Sequence, residues 1–513
     1  MAIIGLPYAH SQPSSAATAI DVEEDADPHG TAAGLVAPRD LPARSIWLAG
    51  KVTAAIAVRP SLTNAKIAVQ VVDLATGREL FSHRADLGMN IASNAKLLTS
   101  IAALSTLGGG FRWRTSVYVD HLDDTTGVVA GDLYVRGRGD PSLSPADLDA
   151  VASDVVARGV RSVEGQLVVD TGYFDHVTEP PHYDEQPAES AAFRAPIASF
   201  AVARSAVTIT AVGEPGKPAT VRIDPDSNGY VRLGKSAVKT ATTSRTHIAV
   251  TGTQKADHVE LDVSGAIRVA SGRFEQRRRV DDPIRFAAEV FRKAMAKYGV
   301  SFKRAGFRDS PVPPASKLVA WHDSAPLAAI IRDMNKFSDN YAAECVLKTL
   351  GAETRAPAVA PTPATWADGT TAVARYLAAI GIRPGSYRCD NGSGLFGASE
   401  VSARQVVTLL GAAYRDFRIW PDLVASLPVG GVDGTLAKRW RASPTKGRVR
   451  AKTGTLDKVT SLAGFVGVDT GHPLAFAIIV NDIPNGQRTA SRAMADDMVN
   501  AMIAYLEPGF PSR

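Results

Sequence analysis

The chain has 513 residues, of which 45% are hydrophobic and 21% charged, and its net charge is +5. At about 150 residues per domain this length implies roughly three domains with a sizeable core. The mild charge, with no dense basic block beyond Arg277-Arg278-Arg279, argues against a nucleic-acid partner. No apolar run reaches the ~20 residues that a membrane helix needs.

Two cysteines, Cys345 and Cys389, lack metal spacing and no histidine cluster accompanies them, so neither metal nor cofactor is expected. Two buried thiols fit them better than a disulfide. The start, Met1 to Ala9, is apolar but short and has no basic stretch, so no complete export signal is written.

Residues 1–59 read as a disordered or export-related segment, with an acidic knot at Asp21 to Asp27. From Lys66 the alternation changes to a hairpin, Lys66 to Asp73 and Glu79 to His83, that leads into the apolar run Ala95 to Leu104. Strand and turn patterns dominate from Thr115, at 115–119, 131–135, 165–170, 206–212, 219–223, 246–251 and 259–263. A helical spacing of Leu148, Val151, Val155 and Val156 interrupts them.

Helical periodicity returns at Pro283, breaks at Pro311 to Pro314, resumes at Ser324 to Asn335 and starts again at Tyr341. The segment 356–363 reads as a tether. Three late strands, near 448–455, 462–468 and 474–481, are expected side by side in one antiparallel sheet, and a helix from Gln487 to Leu506 closes the chain.

Ser93 stands at the mouth of the first apolar helix and Lys96 three positions on, a spacing that puts both side chains on one helical face. A serine hydroxyl needs a base, and a lysine becomes one when burial or a neighbouring cation lowers its pKa. The same S-x-x-K pattern occurs at Ser236/Lys239 and Ser443/Lys446, where no apolar helical run follows and solvated loops are expected. Ser338-Asp339-Asn340 and Lys452-Thr453-Gly454-Thr455 follow in chain order, and S-x-x-K, S-D-N and K-T-G together are the set of the penicillin-recognising serine enzymes.

With Asp390 to Leu395, Leu427 to Leu436, Ser461 to Val466 and the Gly137-Arg138-Gly139-Asp140-Pro141 segment, the chain from about residue 60 resembles the DacB-type D-alanyl-D-alanine carboxypeptidase/endopeptidase family of low-molecular-mass penicillin-binding proteins. Arg138 stands where a glycine is commoner in that family. The resemblance implies an α+β fold. Residues 60–114 and 285–513 would form a β-lactamase/transpeptidase-like domain, an antiparallel sheet flanked by helices, and 115–284 an inserted β-rich region of two nested subdomains.

It further implies an acyl-enzyme on Ser93, with Lys96 as base helped by the cation of Lys452, Ser338 as proton relay and Asn340 as orienting amide. Thr453, Gly454 and Thr455 would bind substrate, and the backbone N–H groups of Ser93 and Thr455 would hold the oxyanion. Peptidoglycan stem peptides become the implied substrate, β-lactams covalent inhibitors, and the extracytoplasmic side the implied location. A β-lactamase or esterase on the same fold, or a non-catalytic peptidoglycan-binding scaffold, are the alternatives. Asp339 and Glu344 read as structural carboxylates, and Asp433 with Arg439 either as an internal ion pair or as cleft residues.

Overall fold

The computed structural model describes residues 35–242, 245–355, 362–441, 445–469 and 471–508. The chain to residue 34, Ser443 and most of the tether read at 356–363 lie outside the described residues. Contacts divide the rest into a smaller unit, Val207–Asp224 with Val231–Arg278, and a larger one.

In the larger unit, α1 (Leu41–Ala57) leads through β1 (Lys66–Asp73) and β2 (Glu79–His83) to α2 (Ala95–Leu107). Much later come α3 (Leu327–Phe337), α4 (Asn340–Glu353), β3 (Val449–Leu456), β4 (Val459–Val466), β5 (Leu474–Asn481) and α5 (Arg488–Leu506). The five strands form one antiparallel sheet in the order β3-β4-β5-β1-β2, so the early hairpin and the three late strands meet as expected.

Period-2 alternation sorts the side chains of β5 between two cores. Phe476, Ile478 and Val480 join Leu48 and Val52 of α1 and Met494, Met498 and Met502 of α5. Ala475, Ala477 and Ile479 face the other way, into the cluster that holds Leu97, Ile101 and Leu104 of α2. Because helices cover both faces, the strand is apolar from Leu474 to Val480, and α2 is buried from Ala95 to Leu104.

Within the segment 1–59, expected to be disordered or export-related, Leu41–Ala57 forms the ordered helix α1. Asp40 caps it, accepting from the Ala43 N–H at 2.9 Å, and Leu48, Val52 and Ala55 are buried against the sheet.

A second five-stranded sheet runs in the order Phe307–Asp309, Leu167–Asp170, Leu133–Arg136, Arg114–Val119, Lys317–Asp323. Its outer members move a boundary. Residues 301–323 were assigned with the domain resuming at 285, yet Phe307–Asp309 pairs in parallel with Leu167–Asp170, and Lys317–Asp323 pairs antiparallel with Arg114–Val119. Backbone pairing ties that stretch to the insertion as far as Asp323.

The smaller unit holds two three-stranded sheets. In one, Val259–Arg268 pairs in parallel with Val231–Ala241 and antiparallel with His247–Gln254; the other is built on the antiparallel pair Ala206–Val212 and Thr220–Asp224. Ser236 and Lys239 are exposed residues of a strand here and do not lie in the loop expected. Both cysteines are free thiols, Cys345 buried and Cys389 partly so.

Candidate active site

Ser93 sits in a short 3-10 turn, Ala92–Asn94, that runs directly into α2. Ala92 enters that turn with a left-handed backbone, φ 47°. The conformation is uncommon for a residue with a side chain, and here the surroundings hold it: Asn90 Oδ1 accepts from the Ala92 N–H at 2.8 Å, and Ser461 Oγ donates to the Ile91 carbonyl at 2.7 Å.

One helical turn carries Lys96 back beneath the serine. Its Nζ lies 3.0 Å from Ser93 Oγ, 2.7 Å from Asn340 Oδ1 and 2.9 Å from the Ser393 carbonyl oxygen. The side chain is fully buried. Burial drives its pKa down to about 7, against the opposing pull of Glu344 and Asp339.

Asn340 and Ser338 flank the junction of α3 and α4. Ser338 caps α3 in a left-handed conformation, φ 58°, and Asp339 caps α4 by accepting from the Ala342 N–H at 3.2 Å. The Asn340 amide donates to the Phe193 carbonyl at 2.9 Å, which turns its oxygen towards Lys96.

Lys452, on β3, is likewise fully buried. It donates to Ser338 Oγ at 2.9 Å and to the Thr453 carbonyl at 2.8 Å. Burial lowers its pKa well below the usual lysine range, and Lys96 adds to that effect. The expectation that Lys452 supplies the cation that neutralises Lys96 is therefore recast: burial is the chief cause for both amines.

The edge strand β3 passes close behind the serine turn. A Cβ on Gly454 would stand 2.2 Å from Ser461 Oγ and 2.8 Å from the Ile91 carbonyl, so only glycine allows the approach. Thr453 Oγ1 donates to Thr435 Oγ1 at 2.8 Å, and Thr455 is partly exposed one strand step further on.

Three contributors, Ser393, Phe193 and Thr435, carried no assigned role in the sequence, and a fourth, Glu344, reads there only as a structural carboxylate. Ser393 and Phe193 act through their carbonyls, which leave no side-chain signal, although Ser393 lies in a segment that carried the family resemblance. Glu344, wholly buried, accepts from the Gly392 and Ser393 N–H groups at 2.9 and 2.8 Å and from Trp366 Nε1 at 2.9 Å, and so holds the loop that faces Lys96. Thr435 becomes visible only beside Thr453.

Gly394 completes that loop: its φ is 72°, and a Cβ there would lie 2.0 Å from the Ala92 carbonyl. Asp433 and Arg439 do not pair with each other. Asp433 receives Lys336 Nζ at 2.6 and 2.7 Å, and Arg439 pairs with Asp496.

An antiparallel sheet between helices, with a serine beside a buried lysine whose pKa burial lowers, defines a serine-type hydrolase of the transpeptidase-like class. Residues 48–503 match the model of the D-Ala-D-Ala carboxypeptidase 3 (S13) family. A D-alanyl-D-alanine carboxypeptidase of Actinomadura sp. (strain R39) is 36% identical over 448 residues, 83% of this chain and 80% of that protein. The D-alanyl-D-alanine carboxypeptidase DacB of Haemophilus influenzae is 26% identical over 77% of this chain and 81% of its own length. In fold, the chain is similar to the crystal structure of penicillin binding protein 4 (dacB) from Haemophilus influenzae, with TM-score 0.72, 22% identity and coverage of 88% and 99%. The chain belongs to the S13 family of D-Ala-D-Ala carboxypeptidases.

Proposed function

We propose that the chain is a serine D-Ala-D-Ala carboxypeptidase that acts on peptidoglycan stem peptides on the outer side of the cytoplasmic membrane, through an acyl-enzyme on Ser93, and that β-lactams acylate the same serine. The observation that carries this reading is the set of partners around Lys96. A neutral amine has two N–H donors and one lone pair. Asn340 Oδ1 and the Ser393 carbonyl can only accept, so they take both N–H groups and the lone pair is left for the hydroxyl of Ser93. Lysine in this state is a base aimed at a nucleophile.

The steps follow from that geometry. Ser93 Oγ attacks the carbonyl of the terminal D-Ala-D-Ala bond as its proton passes to Lys96. The oxyanion is held by the backbone N–H groups that the family resemblance assigns to Ser93 and Thr455, each worth about 2.7–4 kcal/mol in such sites. As the C–N bond breaks, the departing amine of D-Ala takes up, by way of Ser338, the proton that Lys96 had accepted, which leaves Lys96 neutral again. Water then attacks the ester, giving up its proton to Lys96, which passes it to Ser93 Oγ as the ester C–O bond breaks and the serine is released. Lys452, Thr453, Thr455 and Thr435 answer the substrate's terminal carboxylate, whose charge favours the ammonium form of Lys452 that burial disfavours.

The decisive assay is release of D-Ala from a pentapeptide ending in D-Ala-D-Ala. Turnover is expected, and amidation of the C-terminus should lower kcat/KM about 10- to 100-fold, the worth of one or two charge-assisted hydrogen bonds. A wild-type protein that releases no D-Ala overturns the reading. A cross-linked dimer assayed alongside separates carboxypeptidase from endopeptidase preference.

The pH dependence has a fixed sign. Below about 7 Lys96 is protonated and cannot accept the serine proton. Acylation by a labelled penicillin should therefore rise nearly tenfold per pH unit from pH 5 to 7 and level off above, and a profile that keeps climbing to pH 10 would contradict a base with this pKa.

A further inference from the structure

The sheet of the insertion carries a cavity of about 410 Å³ that none of the steps above uses. Its walls hold four arginines, Arg112, Arg114, Arg136 and Arg138, with Ser116 and Tyr118 on the strand between them and one carboxylate, Asp323. The strand alternation builds it. Arg114, Ser116 and Tyr118 share one face of Arg114–Val119, while Thr115, Val117 and Val119 turn inward and are buried. Cross-strand register then sets Ser116 against Arg136 on one side and against Trp321 on the other. A small residue among four large ones leaves a hollow, with Ser116 only 5% exposed.

Three of the four guanidinium groups lie against aromatic rings. Arg136 lies over Tyr118 at 5.2 Å, Arg114 over Trp321 at 5.6 Å and Arg138 over Tyr173 at 5.5 Å. Their carboxylate partners leave much of the donor capacity unused. Asp323 closes on Arg114 at 2.7 and 2.8 Å, and Asp170 takes only the Nε of Arg136, at 2.8 Å, while also accepting from the Val312 N–H. The carboxylate nearest to Arg138 is Glu353, 3.9 Å away and already accepting from the Tyr173 hydroxyl at 2.7 Å. Arg112 donates to the Ser324 carbonyl and has no carboxylate within 4.0 Å among the described residues.

We propose that this cavity is a binding site for a phosphate group borne on a small organic carrier such as a sugar. Arginine forks suit oxyanions, and a lining that offers N–H and O–H donors from several strands suits the four oxygens of a tetrahedral phosphate better than the two of a planar carboxylate. The volume lies within the range of small-molecule sites and exceeds what a bare phosphate fills, so it leaves room for the carrier. Arg138 adds a charge to the rim of the hollow, and its nearest carboxylate is 3.9 Å away.

Calorimetric titration of the full chain at low ionic strength tests the site. Glucose 1-phosphate should bind one to one, more tightly than inorganic phosphate and at least tenfold more tightly than the tricarboxylate tricarballylate. Two variants probe it differently: Arg112→Gln with Arg138→Gln removes the two cations that have no carboxylate within hydrogen-bond distance among the described residues, and Ser116→Leu fills the hollow without changing charge. Each should weaken glucose 1-phosphate at least tenfold while penicillin acylation stays within twofold of wild type, which also reports that the variants are folded. No saturable binding, or equal binding by wild type and both variants, overturns the proposal. Tricarballylate binding as tightly as the sugar phosphate overturns the phosphate assignment, and inorganic phosphate binding as tightly overturns the carrier.

Discussion

A Ser93→Ala chain incubated with a fluorescent penicillin and resolved on a denaturing gel is expected to carry no covalent label, where wild type gives one band. Lys96→Met is the more informative partner, because methionine keeps much of the side-chain volume and removes only the amine. Its acylation rate should fall about 10²–10⁴-fold, the usual worth of a positioned base. The fall should also flatten the pH profile, since among the described residues only Lys96 is hydrogen-bonded to Ser93 Oγ: Asn340 and the Ser393 carbonyl face the amine and not the hydroxyl. Ser338→Ala is expected to act differently. Ser338 is bound to Lys452 and not to Lys96, so its loss should bear on departure of the amine and recognition of the carboxylate more than on attack. A labelled Ser93→Ala band would place the nucleophile elsewhere, and a Lys96→Met chain acylated at the wild-type rate would remove the lysine from the base role.

Much of this site was legible in sequence because its side chains are concentrated in short motifs on regular elements. Ser93 and Lys96 lie on one helical turn, Ser338 and Asn340 on either side of one helix junction, and Lys452 to Thr455 along one strand. What was not legible acts at long range or through the main chain. The carbonyls of Phe193 and Ser393 are chosen by the backbone path, not by the residue type that carries them. Asp433 finds Lys336, which is 97 positions away, and Arg439 finds Asp496, so the nearer pairing of the two in sequence misleads. Helix α1 follows an acidic stretch, and its buried Leu48, Val52 and Ala55 make sense only once α5, from the other end of the chain, lies beside it. The boundary near residue 285 failed for the same reason: periodicity locates a helix at Pro283 but is silent about which sheet the following strands join.

Glu344 offers a test that separates architecture from chemistry. The carboxylate is wholly buried and is the acceptor for two backbone N–H groups of the loop at Gly392 and Ser393 and for the Trp366 indole. Burial raises its pKa and these three donors pull it back towards the anion. Glu344→Ala strands three buried donors, and at about 1–3 kcal/mol for each group left unsatisfied a loss of at least about 3 kcal/mol is expected by chemical denaturation. Acylation should fall as well, because the loop that aims the Ser393 carbonyl at Lys96 loses its anchor. Glu344→Gln keeps an acceptor for part of the set and should be the milder change in stability, yet it removes a negative charge that favours the ammonium form of Lys96. The sign then follows: without that charge the lysine pKa drops further below about 7, and the acid limb of the acylation profile moves to lower pH. A carboxylate that served only to hold the loop would lower the plateau in Glu344→Gln and leave the midpoint where wild type has it, so the displacement of the midpoint is the measurement that decides whether Glu344 also sets the poise of the base.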